Sequence, residues 1–220
     1  MIAEHRALMN PRTVHQSVVG PAGRIECAID SPAAPARGTA VVCHPHPQQG
    51  GTMDNKVVQT LARAFVQLGW RSVRFNFRGV GASEGGWDDG VGEVDDALAV
   101  IDAFRAPAGA PALPFMLAGF SFGGFVAAAA ASRLPDGAKP QRLVLVGTKT
   151  QKQQVPKVPA DTLVIHGETD DVVPVSAALD WARPQSLPVL VFPGVGHFFH
   201  GQLGLLKAVV VKALTPPQAL

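Results

Sequence analysis

A chain of 220 residues with 47% hydrophobic and 16% charged side chains is long enough for one sizeable core, and it shows neither an internal linker nor a repeat. Its net charge of +2 gives no electrostatic grip on nucleic acid or acidic membranes, and no uninterrupted apolar run is long enough to span a bilayer. A single domain over residues 1–220 is expected. The first twelve residues lack the continuous apolar core of a signal peptide, so a cytoplasmic location is expected.

In chain order, residues 13–19 and 24–30 read as two strands joined by Gly20-Pro21-Ala22-Gly23, a connection short enough for an antiparallel hairpin. From Thr39 onward, short apolar or β-branched runs alternate with helical patterns. The runs at 39–43, 71–77, 113–119, 142–147, 161–166 and 187–192 are predicted strands, and their near-continuous hydrophobicity suits burial on both faces of a parallel sheet. Residues 55–68 place Val58, Leu61, Phe65 and Leu68 on one helical face, and residues 91–104 do the same with Val94, Leu98, Ile101 and Phe104. The small residues Ala127 to Ala131 continue a helix after Ser121 and permit close approach to the strands. A last helix is predicted over 202–213, before Pro216 and Pro217. Cys27 and Cys43 both lie in apolar strand runs and are expected to be buried and reduced. The fold class is α/β: about eight strands in a mostly parallel, doubly wound sheet with an N-terminal antiparallel hairpin.

Functional groups in such sheets lie beyond the carboxyl ends of the strands. Residues 117–126 read Leu-Ala-Gly-Phe-Ser-Phe-Gly-Gly-Phe-Val, placing Ser121 between a strand pattern and a helix pattern. Gly119 and Gly123 leave room for a sharp turn that exposes the hydroxyl, and the following helix N-terminus offers amides beginning with that of Phe122. Taken alone, the motif has as a lesser alternative a helix cap with glycines that allow tight packing. Two further placements add weight. The strand ending at Ile165 is followed by His166-Gly167-Glu168-Thr169-Asp170-Asp171-Val172-Val173-Pro174, and the strand ending at Phe192 by Pro193-Gly194-Val195-Gly196-His197. The order Ser, Asp, His is the order of nucleophile-elbow enzymes.

With these motifs in place, the chain resembles the α/β-hydrolases, specifically small lidless bacterial serine hydrolases related to dienelactone-hydrolase-like proteins and esterases. The resemblance covers nearly the whole chain. It rests on Cys43-His44-Pro45-His46-Pro47 with Gly50-Gly51-Thr52-Met53-Asp54-Asn55-Lys56, on Asn76-Phe77-Arg78-Gly79-Val80-Gly81-Ala82-Ser83-Glu84-Gly85, on the elbow, and on the Asp170 and His197 loops. Dienelactone hydrolases proper use a cysteine where this chain has Ser121.

The resemblance implies a serine esterase acting through an acyl-enzyme, with Ser121 as nucleophile, His197 as base and Asp170 orienting it. Asp171 competes for the last role, and the family spacing selects Asp170. The backbone N–H groups of His46 and Phe122 are expected to form the oxyanion hole, and Trp87, Phe198 and Phe122 are candidate pocket walls, with core packing open for each. No cofactor is implied and no metal site is expected. His44 and His46 as metal ligands, with Cys43 or His200, stand as a minor alternative; His44 reads more simply as a buried histidine bonded to its loop, and His166 and His200 as structural or exposed. Arg78 is expected to brace its loop through Glu84 or Asp88. The connection from Gly147 to Ala160 is too short for a helical cap, so the site should be open to small soluble esters or acyl compounds. The expected protein is a monomer or weak homo-oligomer that binds neither nucleic acid nor membrane. A thioesterase, an Xaa-Pro-type peptidase and a non-catalytic binding protein of the same fold are the alternatives.

Overall fold

The computed structural model describes residues 13–105, 112–150 and 154–216. Within them one eight-stranded sheet contains, in chain order, β1 (Val14–Gly20), β2 (Gly23–Asp30), β3 (Thr39–Cys43), β4 (Arg71–Phe75), β5 (Phe115–Phe120), β6 (Arg142–Val146), β7 (Leu163–Gly167) and β8 (Val189–Phe192). Their spatial order is β1-β2-β4-β3-β5-β6-β7-β8. β1 pairs antiparallel with β2, and β2 with β4, while every pairing from β4 through β8 is parallel. The predicted hairpin is present, closed by the Gly20–Gly23 pair.

Among the described residues five α-helices cover the faces: α1 (Lys56–Gln67), α2 (Val91–Arg105), α3 (Phe122–Arg133), α4 (Val175–Ala182) and α5 (Leu203–Leu214). One core layer joins Val41, Val73 and Leu117 of the sheet to Val94, Ala97 and Ile101 of α2 and to Val126 and Ala127 of α3. The opposite layer joins Val42, Ala118 and Val144 to Val58, Leu61 and Phe65 of α1 and to Leu206 and Val210 of α5. Truncating a side chain as fully buried as Phe65 should cost about 3–5 kcal/mol. α1 starts where Asn55 Oδ1 accepts the amides of Val57 (2.9 Å) and Val58 (3.4 Å). α2 starts where Glu93, buried, accepts the amides of Asp88 (3.0 Å) and Gly90 (2.8 Å) with its two carboxylate oxygens.

Several predicted boundaries move for local reasons. The run 71–77 stops as a strand at Phe75 because the Phe77 amide donates to His44 Nε2 (3.0 Å) instead of to a neighbouring strand. The run 161–166 begins later, at Leu163, because a turn closed by Thr162 N–H to Pro159 O (3.0 Å) occupies its start. α4 is absent from the sequence reading, although Val175, Ala178, Leu179 and Ala182 have helical spacing; its eight residues are too few for that pattern to stand out. Between β6 and β7 the described residues, 147–150 and 154–162, contain no helix, and 151–153 lie outside the described residues. The expectations about the first twelve residues and Pro217 also fall outside them. Among the described residues no helix is long and apolar enough to cross a membrane.

β3 pairs with β4 on one side and β5 on the other, so the winding reverses between β3 and β5. A crevice forms at the carboxyl ends of strands at such a reversal. The loops leaving these two strands carry His46 and Ser121.

Candidate active site

Ser121 sits between β5 and α3 with φ 56° and ψ −119°, a backbone conformation that costs a non-glycine residue about 1–3 kcal/mol. Its surroundings hold it there. Its N–H donates to Val146 O (2.9 Å), and its carbonyl accepts from Gly124 N–H (3.0 Å) and Lys149 N–H (3.2 Å). A Cβ at Gly119 would collide with the carbonyl of Gly123, and one at Gly123 with the carbonyls of Cys43 and His44. The glycines therefore let α3 press its first turn against β5 and the β3 loop. The Phe122 amide, at the first position of α3, has no acceptor within the helix.

The β3 loop is held from several directions. His44 is fully buried; its Nε2 accepts the Phe77 amide, which leaves Nδ1–H to donate to Pro45 O (2.6 Å). Burial pushes this imidazole down to about 3, against the Pro45 carbonyl, which favours the cation. With both nitrogens engaged, His44 is the loop-bonded histidine of the sequence reading and is not available to a metal. Further along, Arg74 on β4 donates to Met53 O (3.0 Å) and Asp54 Oδ1 (2.9 Å), and Asn76 Oδ1 accepts the Met53 amide (2.9 Å). The His46 carbonyl accepts from Gln49 N–H and Gly51 N–H, both at 3.0 Å. The His46 ring stacks on Trp87 (centroids 4.5 Å apart) and tilts against Phe122 (5.2 Å). Ser121, His46 and Phe122 are thus gathered at the β3/β5 crevice.

Asp170 and His197 meet after β7 and β8. His197 Nδ1–H donates to Asp170 Oδ2 (2.7 Å), and Asp170 Oδ1 accepts the amides of Val172 (3.0 Å) and Val173 (2.7 Å). Both side chains are almost wholly buried. Burial would raise the Asp170 carboxyl, but the His197 and Val173 hydrogen bonds and the nearby histidines outweigh it and hold the group below the ordinary carboxylate range. The His197 ring lies 4.9 Å from that of Phe120 and packs over Gly147, where an added Cβ would stand 3.3 Å from Cε1. Gly147 follows Val146, whose carbonyl holds the Ser121 amide, so the His197 imidazole and Ser121 converge on the same strand end. Asp171 is exposed, in keeping with the choice of Asp170.

The candidate pocket walls separate into three situations. Phe198 is 44% exposed and lines, with Asp171, Val172, His197 and His200, a cavity of about 510 Å³ beside the imidazole. Trp87 is partly buried against His46 and Phe122 and donates its indole N–H to Asp89 Oδ1 (2.9 Å). Phe122 is fully buried in the core, so its ring is packing.

Arg78 corrects the sequence reading in part. It braces its loop through Asp96, with Nε to Oδ2 at 3.0 Å and Nη2 to Oδ1 at 2.8 Å, and this pairing raises its already high proton affinity. Asp88 is a more distant partner at 3.6 Å, and Glu84 pairs with Arg24 instead. Asp96 lies inside a helical pattern, where an acidic residue reads as surface. His166, read from the sequence as structural or exposed, is fully buried and stands 3.3 Å from Asp170 Oδ2, a contact the sequence reading did not include. Its position at a strand end, four residues before Asp170, was the available signal. Cys27 and Cys43 are free and buried, as expected, and burial pushes both thiols up, that of Cys27 to about 12.

Comparison with known proteins adds to this geometry. The family model described as "alpha/beta hydrolase fold" matches residues 41–161. A serine hydrolase without lid from Xanthomonas campestris is 36% identical, with a TM-score of 0.85 over 95% of this chain and 99% of that one. An alpha-beta serine hydrolase homologue from Coxiella burnetii is 37% identical, with a TM-score of 0.83 over 94% of this chain and 99% of that one. An uncharacterised protein of Rickettsia prowazekii is 42% identical over 117 residues, 53% of this chain and 49% of the relative, so the match spans about half that curated relative's length.

Proposed function

The chain belongs to the alpha/beta hydrolase family, and from that premise we propose that it is a serine hydrolase that cleaves small soluble carboxylic esters through an acyl-enzyme. The observation that carries this reading is the buried 2.7 Å contact of His197 Nδ1 with Asp170 Oδ2, with the His197 ring packed over Gly147, next to the Val146 carbonyl that holds the amide of the strained Ser121.

The contact fixes the imidazole tautomer, because a carboxylate oxygen accepts and Nδ1 must therefore carry the proton. Nε2 is left as the base. It takes the Ser121 Oγ proton as Oγ attacks the ester carbonyl. The negative charge that develops on the carbonyl oxygen is met by the His46 and Phe122 amides, whose loops are fixed before substrate arrives and need no reorganisation. His197 then protonates the departing alcohol, and water repeats the sequence on the acyl-enzyme to release the acid. Asp170, ionised throughout, stabilises the transient imidazolium. The cavity beside Phe198 and the absence of a helix among the described residues between β6 and β7 favour small substrates that reach an open site.

A fluorophosphonate probe tests the chemistry directly. Labelling of the wild type that disappears in Ser121→Ala and persists in Ser132→Ala is the expected result; Ser132 is an exposed α3 serine whose hydroxyl donates to Ala129 O (2.8 Å). A p-nitrophenyl ester series, run beside thioesters and proline amides, should give the highest kcat/KM on short acyl esters. Activity that rises steadily with chain length, or that is confined to thioesters or proline amides, would overturn the substrate assignment. A folded protein that takes no label would instead be a binding protein on the same fold.

A further inference from the structure

His166 lies at the end of β7, between β6 and β8, with its imidazole fully buried. Its Nε2 is 2.7 Å from the Val173 carbonyl and 3.3 Å from Asp170 Oδ2, the oxygen that also accepts from His197. A carbonyl needs a donor, so the proton of the neutral ring resides on Nε2, directed chiefly at Val173 with Asp170 beside it. Nδ1 is then a bare lone pair, buried without a hydrogen-bond partner. A second proton would create an unpaired buried charge, and burial accordingly pushes this imidazole below its ordinary range.

These contacts form a closed ring. Val173 N–H holds Asp170 Oδ1 (2.7 Å), Val173 C=O is held by His166, and the His166 N–H edge faces Asp170 Oδ2. Asp170 belongs to a loop, whereas His166 is paired in register with Val191 of β8 inside the sheet. The ring transfers the rigidity of the sheet to the carboxylate. A histidine retained only to fill space would have no need to direct its N–H at both acceptors of this turn, because an apolar side chain of similar volume packs without leaving Nδ1 unpaired.

We propose that His166 is a positioning residue: from the end of β7 it locks the 170–173 turn and so fixes the Asp170 carboxylate in the orientation that His197 requires. The proposal rests on the reading of Ser121, Asp170 and His197 as the reacting set. It assigns His166 no contact with substrate.

Three variants test it. Glutamine at 166 carries an amide N–H to roughly the place of Nε2, asparagine is too short to reach it, and leucine fills space without a donor. His166→Asn and His166→Leu should lower kcat by about 10- to 100-fold, the loss expected when a reacting group is slightly misplaced, with KM changed little. His166→Gln should recover most of that loss. Independently of turnover, the downfield proton NMR resonance of the His197 Nδ1–H should broaden or move in His166→Asn and His166→Leu and return towards its wild-type position in His166→Gln. Folded variants in which asparagine, leucine and glutamine all match the wild type in kcat and in this resonance would overturn the proposal; so would an equal loss in all three, which marks a packing role. Should leucine fail to fold, the glutamine–asparagine pair decides the same question. If the wild type hydrolyses no ester while the resonance still responds as expected, the ester reading fails and the positioning role stands.

Discussion

Asp170 and His197 lie 27 positions apart in sequence and meet at 2.7 Å on the ends of the neighbouring strands β7 and β8, with both side chains withdrawn from solvent. The carboxylate also accepts two backbone amides on its other oxygen, so it stays ionised despite burial. Asp170→Asn removes the charge and offers Nδ1 of His197 an ambiguous partner. It should lower kcat about 10⁴-fold while the protein stays folded, the scale seen when a buried triad aspartate loses its charge. Asp171→Asn, on an exposed side chain, should cost less than about tenfold. Steady-state kinetics on one short ester, with circular dichroism to check folding, separates the two residues.

The backbone of Ser121 makes stability and activity move in opposite directions. Ser121→Ala keeps the Cβ at φ 56° and removes only the proposed nucleophile, so activity should fall by at least about 10⁴-fold with little change in stability. Ser121→Gly removes the steric conflict as well. The strain released is about 1–3 kcal/mol, and glycine's greater freedom in the unfolded chain offsets about 0.5–1 kcal/mol of it. Ser121→Gly should therefore be more stable than Ser121→Ala by about 1 kcal/mol, measured as a difference in urea midpoints at equal slope.

The parts of this site that were legible in sequence are those that use a residue type for its backbone. Gly119 and Gly123 flank Ser121 because carbonyls of the elbow and of the β3 loop occupy the space where side chains would be. His197 and the Asp170–Asp171 pair were legible because they follow apolar strands, and the choice of Asp170 came from the family spacing. Partners set by three-dimensional proximity were not legible. Asp96 comes to Arg78 through the packing of α2 on the sheet, and Trp87 reaches the His46 ring through a loop whose path depends on that ion pair. The order of strands was equally hidden, because alternation of periods reveals a parallel sheet without saying which strand lies beside which.

Gly123 couples the elbow to the β3 loop. The two carbonyls that an added methyl would strike, those of Cys43 and His44, belong to backbone that cannot rotate away. Gly123→Ala must therefore push α3 off the β3 loop and move the Phe122 amide relative to that of His46. The expected result is a loss of about 1–3 kcal/mol in stability together with a 10²- to 10³-fold fall in kcat, the cost of one misplaced oxyanion donor. Gly137→Ala, where an added Cβ meets nothing within 4 Å, should leave both unchanged. A Gly123→Ala protein with wild-type kcat would show that the two amides do not act together.

Acid should unfold this protein in part through His44. Its imidazole is held neutral in the fold, at about 3, against an ordinary value near 6.5. Between those values the unfolded chain binds a proton that the folded chain does not. The stabilisation from keeping His44 neutral is therefore complete above about pH 6.5 and is lost progressively as pH falls towards about 3, with a limiting slope of about 1.4 kcal/mol per pH unit. His166, also held neutral by burial, acts in the same direction, whereas the stability contributed by the Asp170 carboxylate is kept down to the ordinary carboxylate range and is lost only as pH falls below it. Urea unfolding at pH 7, 6 and 5 should show the midpoint falling at each step. In His44→Gln the amide oxygen can still accept the Phe77 N–H, but no proton can be taken up. That variant should be less stable at pH 7 and should lose less stability than the wild type between pH 6 and pH 5. Parallel curves for the two proteins would mean that His44 is not protonated on unfolding.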